Sequence, residues 1–357
     1  MSTTAAKDTP RVIVIGASSG GLDAIRAIAA SLPADFPVPI CVVLHLAPHS
    51  PRVLDAIISR AGVLPALMPA DLAPLQAGHI YVAPPDYHLL VEPGRLRITR
   101  GPRENRFRPA IDPLFRSAAQ VYGPAAIGVI LSGDLDDGSA GLWAVKQLGG
   151  ISIIQDPRDA AYSSMPWSAL SRVEVDYRLL LKEIGPLLVQ LASTSIAKRE
   201  RIVVPDHLQV DIDIAKEQHP MDAGLGRVTE PSVYACPECH GVLQQLKEAG
   251  VLRFRCHTGH AYAPESLLAE LRERVDESLW ASIRSLEEFG LLLCHLAAHE
   301  GSTAPAANGE TLIREAEATR AAADALRQIT SKMVPTWPPN VPSGAPAAIG
   351  SGSASSD

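Results

Sequence analysis

Four consecutive β-branched residues, Val12-Ile13-Val14-Ile15, run straight into Gly16-Ala17-Ser18-Ser19-Gly20-Gly21, and Leu22 to Ile28 then repeats apolar residues every three or four positions. A wholly apolar run this short suits a strand covered on both faces, and the spacing after it suits a helix. The intervening small residues make a sharp turn, which lifts Ser18 to the carboxyl end of the strand beside the free N–H groups of a helix N-terminus. Such donors hold anions, whether a bound phosphate or the oxyanion of an acyl transfer. A dinucleotide loop would place its second glycine at Ser18. Three readings stay open from this stretch: a nucleophile, a phosphate loop and a plain tight turn.

The same pattern returns further along. Val38 to Leu44 is a second apolar run ending in His45, with Pro39 confined to its start because it has no N–H to give. A helix between two such strands makes a right-handed crossover, so the strands pair in parallel and His45 shares an edge with Ser18. The alternative for His45 is an ordinary loop residue. Pro51 to Gly62 reads as a helix, and Gly78–Pro85, His88–Val91 and Leu96–Ile98 read as short strands that form an antiparallel flap. The basic segment 101–109 is either a solvated loop or a wall facing an acidic substrate protein. Ile111–Tyr122 is an amphipathic helix, and the strand Ala126–Leu131 leads into Ser132-Gly133-Asp134-Leu135-Asp136-Asp137-Gly138, whose three acids either bind a metal or cap the next helix. Ile151–Gln155 and a helix near 180–191 complete a strand–helix alternation. The expected architecture is α/β, a three-layer doubly wound, mostly parallel sheet.

Three strand ends thus bring a hydroxyl, an imidazole and a carboxylate toward one crevice. A serine hydroxyl needs a neighbouring base to become a nucleophile, and the imidazole needs an acceptor to set its tautomer and stabilise its charged form. Ser18, His45 and an acid of the 134–137 group meet that requirement, which favours a serine hydrolase over a nucleotide-binding module.

The second half differs. Residues 195–230 carry many charges and weak periodicity and read as a linker. Cys236-Pro237-Glu238-Cys239 and Cys256-His257-Thr258-Gly259-His260 form two knuckles whose spacing suits one tetrahedral Zn²⁺ held by three thiolates and one imidazole. Three of the five cysteines lie there, which argues for a closed structural metal site and against a disulfide framework, with a redox dithiol or inert thiols as the alternatives. From residue 265, Leu268, Leu271, Val275, Leu279, Ile283, Leu286, Phe289, Leu293 and Leu296 make one long apolar stripe, and 310–330 carries a second, giving a helical hairpin suited to self-association or to a signalling partner. The expected segments are a disordered 1–10, the α/β domain 11–194, the linker, a small zinc-ribbon-like domain 231–264, the hairpin 265–332 and a Pro/Gly/Ser/Ala-rich disordered tail 333–357. The net charge of −7 argues against a nucleic-acid partner. No run has the length of a membrane span and the N-terminus lacks a signal-peptide core, so a cytoplasmic protein is expected.

Residues 11–190 also resemble the catalytic domain of CheB-type chemotaxis protein-glutamate methylesterases. The matching motifs are Ile15–Gly21, Leu44-His45-Leu46-Ala47-Pro48, Gly78–Pro84, Asn105–Asp112, Gly128–Gly133, Asp137–Leu142 and Met165-Pro166. The resemblance implies hydrolysis of glutamyl methyl esters on chemoreceptor helices, with methanol released and receptor glutamine deamidation as a further activity. It implies Ser18 as nucleophile, His45 as general base, Asp137 as orienting acid and no cofactor for catalysis. It also implies a receiver domain ahead of the esterase; here the first strand starts near residue 11, so phosphorylation control in cis is expected to be absent. The family's Gly-x-Gly-x-Asp-Gly loop reads Gly133-Asp134-Leu135-Asp136-Asp137-Gly138, with Leu135 at a glycine and Asp134 at an apolar position. A carboxylate beside the oxyanion would oppose catalysis, and the alternative reading is a weak or inactive esterase fold serving as a signalling scaffold. Residues 231–300 resemble an extension fused to some of these esterases, which favours His260 over His257 as the fourth ligand beside Cys236, Cys239 and Cys256.

Overall fold

A computed structural model describes residues 11–194, 203–247, 251–300 and 306–333. Contacts divide the chain into two units, 1–272 and 273–357.

The first unit opens with β1 (Val12–Ala17), α1 (Gly21–Ser31), β2 (Ile40–Leu44), α2 (Leu54–Ser59), β3 (Ala66–Leu67) and β4 (Ile80–Val82). The hairpin β5 (His88–Glu92) and β6 (Arg95–Thr99) follows, then α3 (Ile111–Tyr122), β7 (Ala126–Ile130), α4 (Ser139–Gln147), β8 (Ile151–Gln155), α5 (Ser164–Arg172), β9 (Tyr177–Leu179) and α6 (Leu181–Ala192). Seven strands form one parallel sheet in the order β3-β4-β2-β1-β7-β8-β9. Every residue of β1 is buried, and its side chains alternate between two cores. Val12 and Val14 pack with α3, α4, α5 and the β5–β6 hairpin, whereas Ile13, Ile15 and Ala17 pack with α1, α2 and α6. The expected three-layer sheet is present, with helices on both faces.

The chain runs outward from β1 through β2 and then resumes on its other side at β7. That reversal opens a crevice at the carboxyl ends of β1 and β7, where Ser18 and the acidic loop sit.

Three expectations need revision. Ile80–Val82 does not join the hairpin in an antiparallel flap; it pairs in parallel with β2 inside the main sheet, and β5 and β6 form a separate two-stranded antiparallel sheet. The helix expected over 51–62 is limited to Leu54–Ser59, with Val53 exposed. Within the expected linker, α7 (Asp206–Ala215) and α8 (Leu225–Val228) are ordered helices. Leu208 and Ile212, one helical turn apart, enter the main core beneath α3, and Asp211 is buried between Arg253 and Arg255. One of the charges that make this stretch look like a linker, Asp211, is thus part of an internal ion pair.

The remainder of the unit is a four-stranded antiparallel sheet, β10 (Thr229–Ala235), β11 (Val242–Leu246), β12 (Phe254–Cys256) and β13 (Ala261–Tyr262), over a small core of Leu243, Phe254, Tyr262 and Leu267. It leads into α9 (Pro264–Glu300).

In the second unit, the later turns of α9 and all of α10 (Ala306–Lys332) lie antiparallel, with Gly290 near Thr319 and Arg327 paired with Glu287. Ile283, Leu293, Ala316 and Ala323 are buried there, while Val275, Phe289 and Leu296 of the predicted stripe remain exposed. No helix among the described residues is long and apolar enough to cross a membrane. The segments expected to be disordered, 1–10 and 333–357, lie outside the described residues, except for Met333, which directly follows α10.

Candidate active site and metal centre

Ser18 directly follows β1. Its N–H donates to Ser132 O at 3.0 Å, and Gly21 N–H donates back to Ser18 O at 2.9 Å. Gly20 has a φ of 71°, and a Cβ there would lie 2.9 Å from both Ser132 Oγ and Ala161 Cβ, so both the backbone conformation and the space require glycine. Ser132 Oγ donates to Ser19 O at 2.8 Å and accepts Tyr162 N–H at 2.9 Å, which ties this turn to the loop after β8. The serine hydroxyl therefore stands at the start of α1 on a turn held from two sides.

His45 follows β2, as the parallel pairing requires, and its N–H donates to Ala17 O at 3.2 Å. Its Nδ1 lies 3.1 Å from Ser18 Oγ and its Nε2 lies 2.7 Å from Asp137 Oδ2. The imidazole is thus oriented with Nε2–H toward the carboxylate and the Nδ1 lone pair toward the hydroxyl, a tautomer assigned from its partners. Phe107 stacks on the ring with centroids 3.6 Å apart and planes 10° apart. The His45 and Asp137 side chains are 3% and 1% exposed, so water hardly competes for their contact.

Asp137 is saturated with donors. Oδ2 accepts His45 Nε2 and Ile111 N–H at 2.6 Å; Oδ1 accepts Asn105 Nδ2 at 2.8 Å, Gly138 N–H at 3.0 Å and Asp112 N–H at 3.3 Å. Burial alone would raise its pKa, but the His45 hydrogen bond and charge, the Ile111 N–H and the Asn105 amide outweigh burial and hold it below the ordinary value. Its neighbour Asp112 is pushed up to about 6, by burial first and then by the Asp137 charge.

The three acids of the loop part company. Asp137 faces His45. Asp136 caps a distant helix rather than the next one, accepting Glu265 N–H at 3.0 Å, Ser266 N–H at 3.2 Å and the Ser266 hydroxyl. Burial, then Glu265, raises its pKa well above the usual range. Asp134 is exposed at the rim. Leu135 has a φ of 63°, the left-handed conformation a glycine adopts freely, so the loop keeps that path with a leucine in it.

Ser18 and His45 open into a cavity of about 530 Å³ that is also lined by Arg103, Arg106, Phe107 and Asp134. The segment 101–109 is therefore a wall of this cavity. Asn105 and Phe107 lie within a motif quoted for the resemblance, yet residue type gave neither a role, since each acts by packing against a partner distant in sequence.

Cys236, Cys239, Cys256 and His260 bring their ligand atoms within 4.8 Å of one another. Cys239 Sγ and Cys256 Sγ are 3.6 Å apart, and His260 Nδ1 is 3.7 Å from both Cys236 Sγ and Cys256 Sγ. A tetrahedral Zn²⁺ with Zn–S near 2.3 Å and Zn–N near 2.0 Å needs ligand separations of about 3.5–3.8 Å, so the donor set fits such an ion. His260 Nε2 faces Glu238 Oε2 at 3.3 Å, the outer partner a ligating imidazole commonly has.

Comparison with known proteins adds the following. The family model described as CheB methylesterase matches residues 13–188. A relative from Leptospira interrogans, called a putative protein-glutamate methylesterase/protein-glutamine glutaminase, is 38% identical over 188 residues, covering 52% of this chain and 97% of its own. Relatives in Anaeromyxobacter dehalogenans and Myxococcus xanthus, called protein-glutamate methylesterase/protein-glutamine glutaminase, are 38% and 40% identical. The matches span 50% and 44% of this chain, and 53% and 45% of those proteins. The crystal structure of the Thermotoga maritima CheB methylesterase catalytic domain is similar at 32% identity and a TM-score of 0.49, covering 51% of this chain and 98% of that one.

Proposed function

The chain belongs to the CheB methylesterase family, and from that premise we propose that it hydrolyses glutamyl methyl esters on methylated chemoreceptors, with Ser18 as nucleophile, His45 as general base and Asp137 as orienting acid. The observation that carries the reading is the continuous hydrogen-bonded line Ser18 Oγ, His45 Nδ1, His45 Nε2, Asp137 Oδ2. Ser18 Oγ attacks the ester carbonyl as His45 Nδ1 takes its proton. Asp137 stabilises the imidazolium, and the backbone N–H groups of Ser19 and Gly20 receive the oxyanion. The proton then passes to the leaving methoxide and methanol departs. Water repeats the sequence on the acyl-serine, freeing the glutamate carboxylate and Ser18. With a glutamine side chain the same steps release ammonia, the second activity in the relatives' names.

Cys236, Cys239, Cys256 and His260 are the proposed ligands of a structural Zn²⁺. With four protein ligands and no open position, the ion would supply folding energy to residues 231–262 rather than chemistry.

Wild-type protein is expected to release methanol from methylated receptor and to label at Ser18 with a fluorophosphonate. Ser18→Ala should abolish both, and His45→Ala should suppress labelling. Undiminished methanol release by Ser18→Ala would end the assignment. A wild-type serine inert toward the probe and the receptor would leave the scaffold reading.

A further inference from the structure

Asn105 sits 2% exposed in the loop between β6 and α3, with every polar group of its side chain committed. Its Nδ2 donates to Asp137 Oδ1 at 2.8 Å and to Asp112 Oδ2 at 3.0 Å, while its Oδ1 accepts Ala263 N–H at 2.7 Å. This orientation is fixed by chemistry, since a flipped amide would aim its oxygen at two carboxylates and its NH₂ at an N–H. The backbone repeats the connection: Asn105 N–H donates to Ala261 O at 2.8 Å, and Ala261 N–H donates to Arg103 O at 3.2 Å.

The donor side of this bridge belongs to the metal-ligand region. Ala261 follows His260 directly, and Cys256 N–H closes that knuckle on His260 O at 3.0 Å. One residue earlier, Arg255 donates to Gly259 O at 2.6 Å and to Glu104 Oε1 at 2.8 Å. Glu104 also pairs with Arg116, and all three side chains are at most 2% exposed. Two of the four metal ligands thus bracket a turn whose exit strand touches the residue that touches Asp137.

We propose that Asn105 is the positioning residue of Asp137, and that its carboxamide is held by the Ala261–Ala263 segment so that an intact metal knuckle sets how well Ser18 is activated. The inference rests on the esterase reading above. Asn105 Nδ2 is the side-chain donor among those that hold the Asp137 carboxylate in the plane in which Oδ2 meets His45, and the Ala263 N–H confines the amide. If the knuckle loosens, the amide oxygen loses its fixed N–H donor and Asp137 gains a rotation that carries Oδ2 off the imidazole. Misplacement of a catalytic group by about 1 Å costs on the order of 10²-fold in rate.

The full chain, zinc-loaded, is compared as wild type, Asn105→Ala, Asn105→Asp and Ser18→Ala. Methanol release, the rate constant for fluorophosphonate labelling of Ser18, and hydrogen exchange of residues 103–107 and 261–263 are measured. Asn105→Asp keeps the acceptor for Ala263 and removes the donor to Asp137. Both Asn105 variants should lower kcat and the labelling rate by about 10²-fold with KM within about threefold of wild type. A folded variant that labels within about threefold of wild type overturns the positioning role. Chelation of the wild type is the second measurement, which stands even if the variants fail to fold. Exchange at 261–263 and 103–107 should rise and labelling should slow at least about tenfold, both reversed by added Zn²⁺. Faster exchange with unchanged labelling, or unchanged exchange, overturns the coupling. Failure of the esterase reading has a different signature: labelling that survives Ser18→Ala, or none in the loaded wild type.

Discussion

Replacing Glu104 by glutamine tests how the buried charges contribute to stability. The side chain lies between Arg116 and Arg255, both 0% exposed. Burial alone would raise its pKa, but the two guanidinium groups outweigh burial and hold it at about 2, against an ordinary 4.5. At about 1.4 kcal/mol per pH decade, that gap makes the ionised carboxylate worth about 3 kcal/mol to the folded state near neutrality. The geometry gives a similar figure. In Glu104→Gln, Arg255 keeps Asp211 at 2.8 Å, but Arg116 loses its close ion pair and keeps Asp112 at 3.8 Å. Orphaning one partner of a buried pair costs about 3–5 kcal/mol. Because the folded-state pKa is depressed, this stability is fully present above about pH 4.5 and is lost as pH falls toward 2. The wild-type-minus-variant difference should be about 3 kcal/mol at pH 7 and pH 5.5, and about half of that at pH 3. Urea denaturation of both zinc-loaded proteins at these pH values measures it. A difference below about 1 kcal/mol at pH 7, or one that stays constant down to pH 3, refutes the reasoning.

Two further substitutions probe the site itself. A Cβ on Gly16 would lie 2.3 Å from Ile111 Cγ2, and Ile111 N–H is the 2.6 Å donor to Asp137; Gly16→Ala should lower stability by about 1–3 kcal/mol in urea and slow methanol release by at least about tenfold. Phe107→Ala removes the ring stacked on His45 and should cut kcat about tenfold with KM little changed, while Phe107→Tyr keeps the stack and most of the rate; equal losses in the two variants would show that the stack does not orient the imidazole.

What could be read from the chain followed the range of each interaction. β1 is a continuous apolar run because both its faces are covered, and the parallel crossover to β2 then puts His45 beside Ser18, so the hydroxyl and imidazole were legible from local pattern and one topological rule. The choice of Asp137 over Asp134 and Asp136 was not. It came from the motif resemblance, and the physical reason lies in donors from Asn105, Ile111 and Asp112, which no local pattern reveals. The cluster of Cys236, Cys239, Cys256 and His260 was legible because a tetrahedral zinc site of the proposed kind requires such spacing. The helix α7 is hidden in the sequence because Asp206, Asp211 and Asp213 break its apolar periodicity, and Asp211 pairs with Arg253 and Arg255 more than forty residues later. β4 is three residues long, too short to show whether its partner is β2 or the hairpin.

The hydrogen bond between Asn105 and Ala263 joins residues 158 positions apart, and this separation has a consequence for synthesis. Ser18, His45, Asn105 and Asp137 leave the ribosome well before the Cys256–His260 knuckle. At about 5–20 residues per second, the interval between Asn105 and Ala263 is on the order of 10 s. During that time a nascent chain can form most of its sheet and then receive Leu208 and Ile212 over the core beneath α3, while the Asn105 carboxamide still has no Ala263 to bind. The hydrolytic centre is completed from the C-terminal side, after its own residues are already in place.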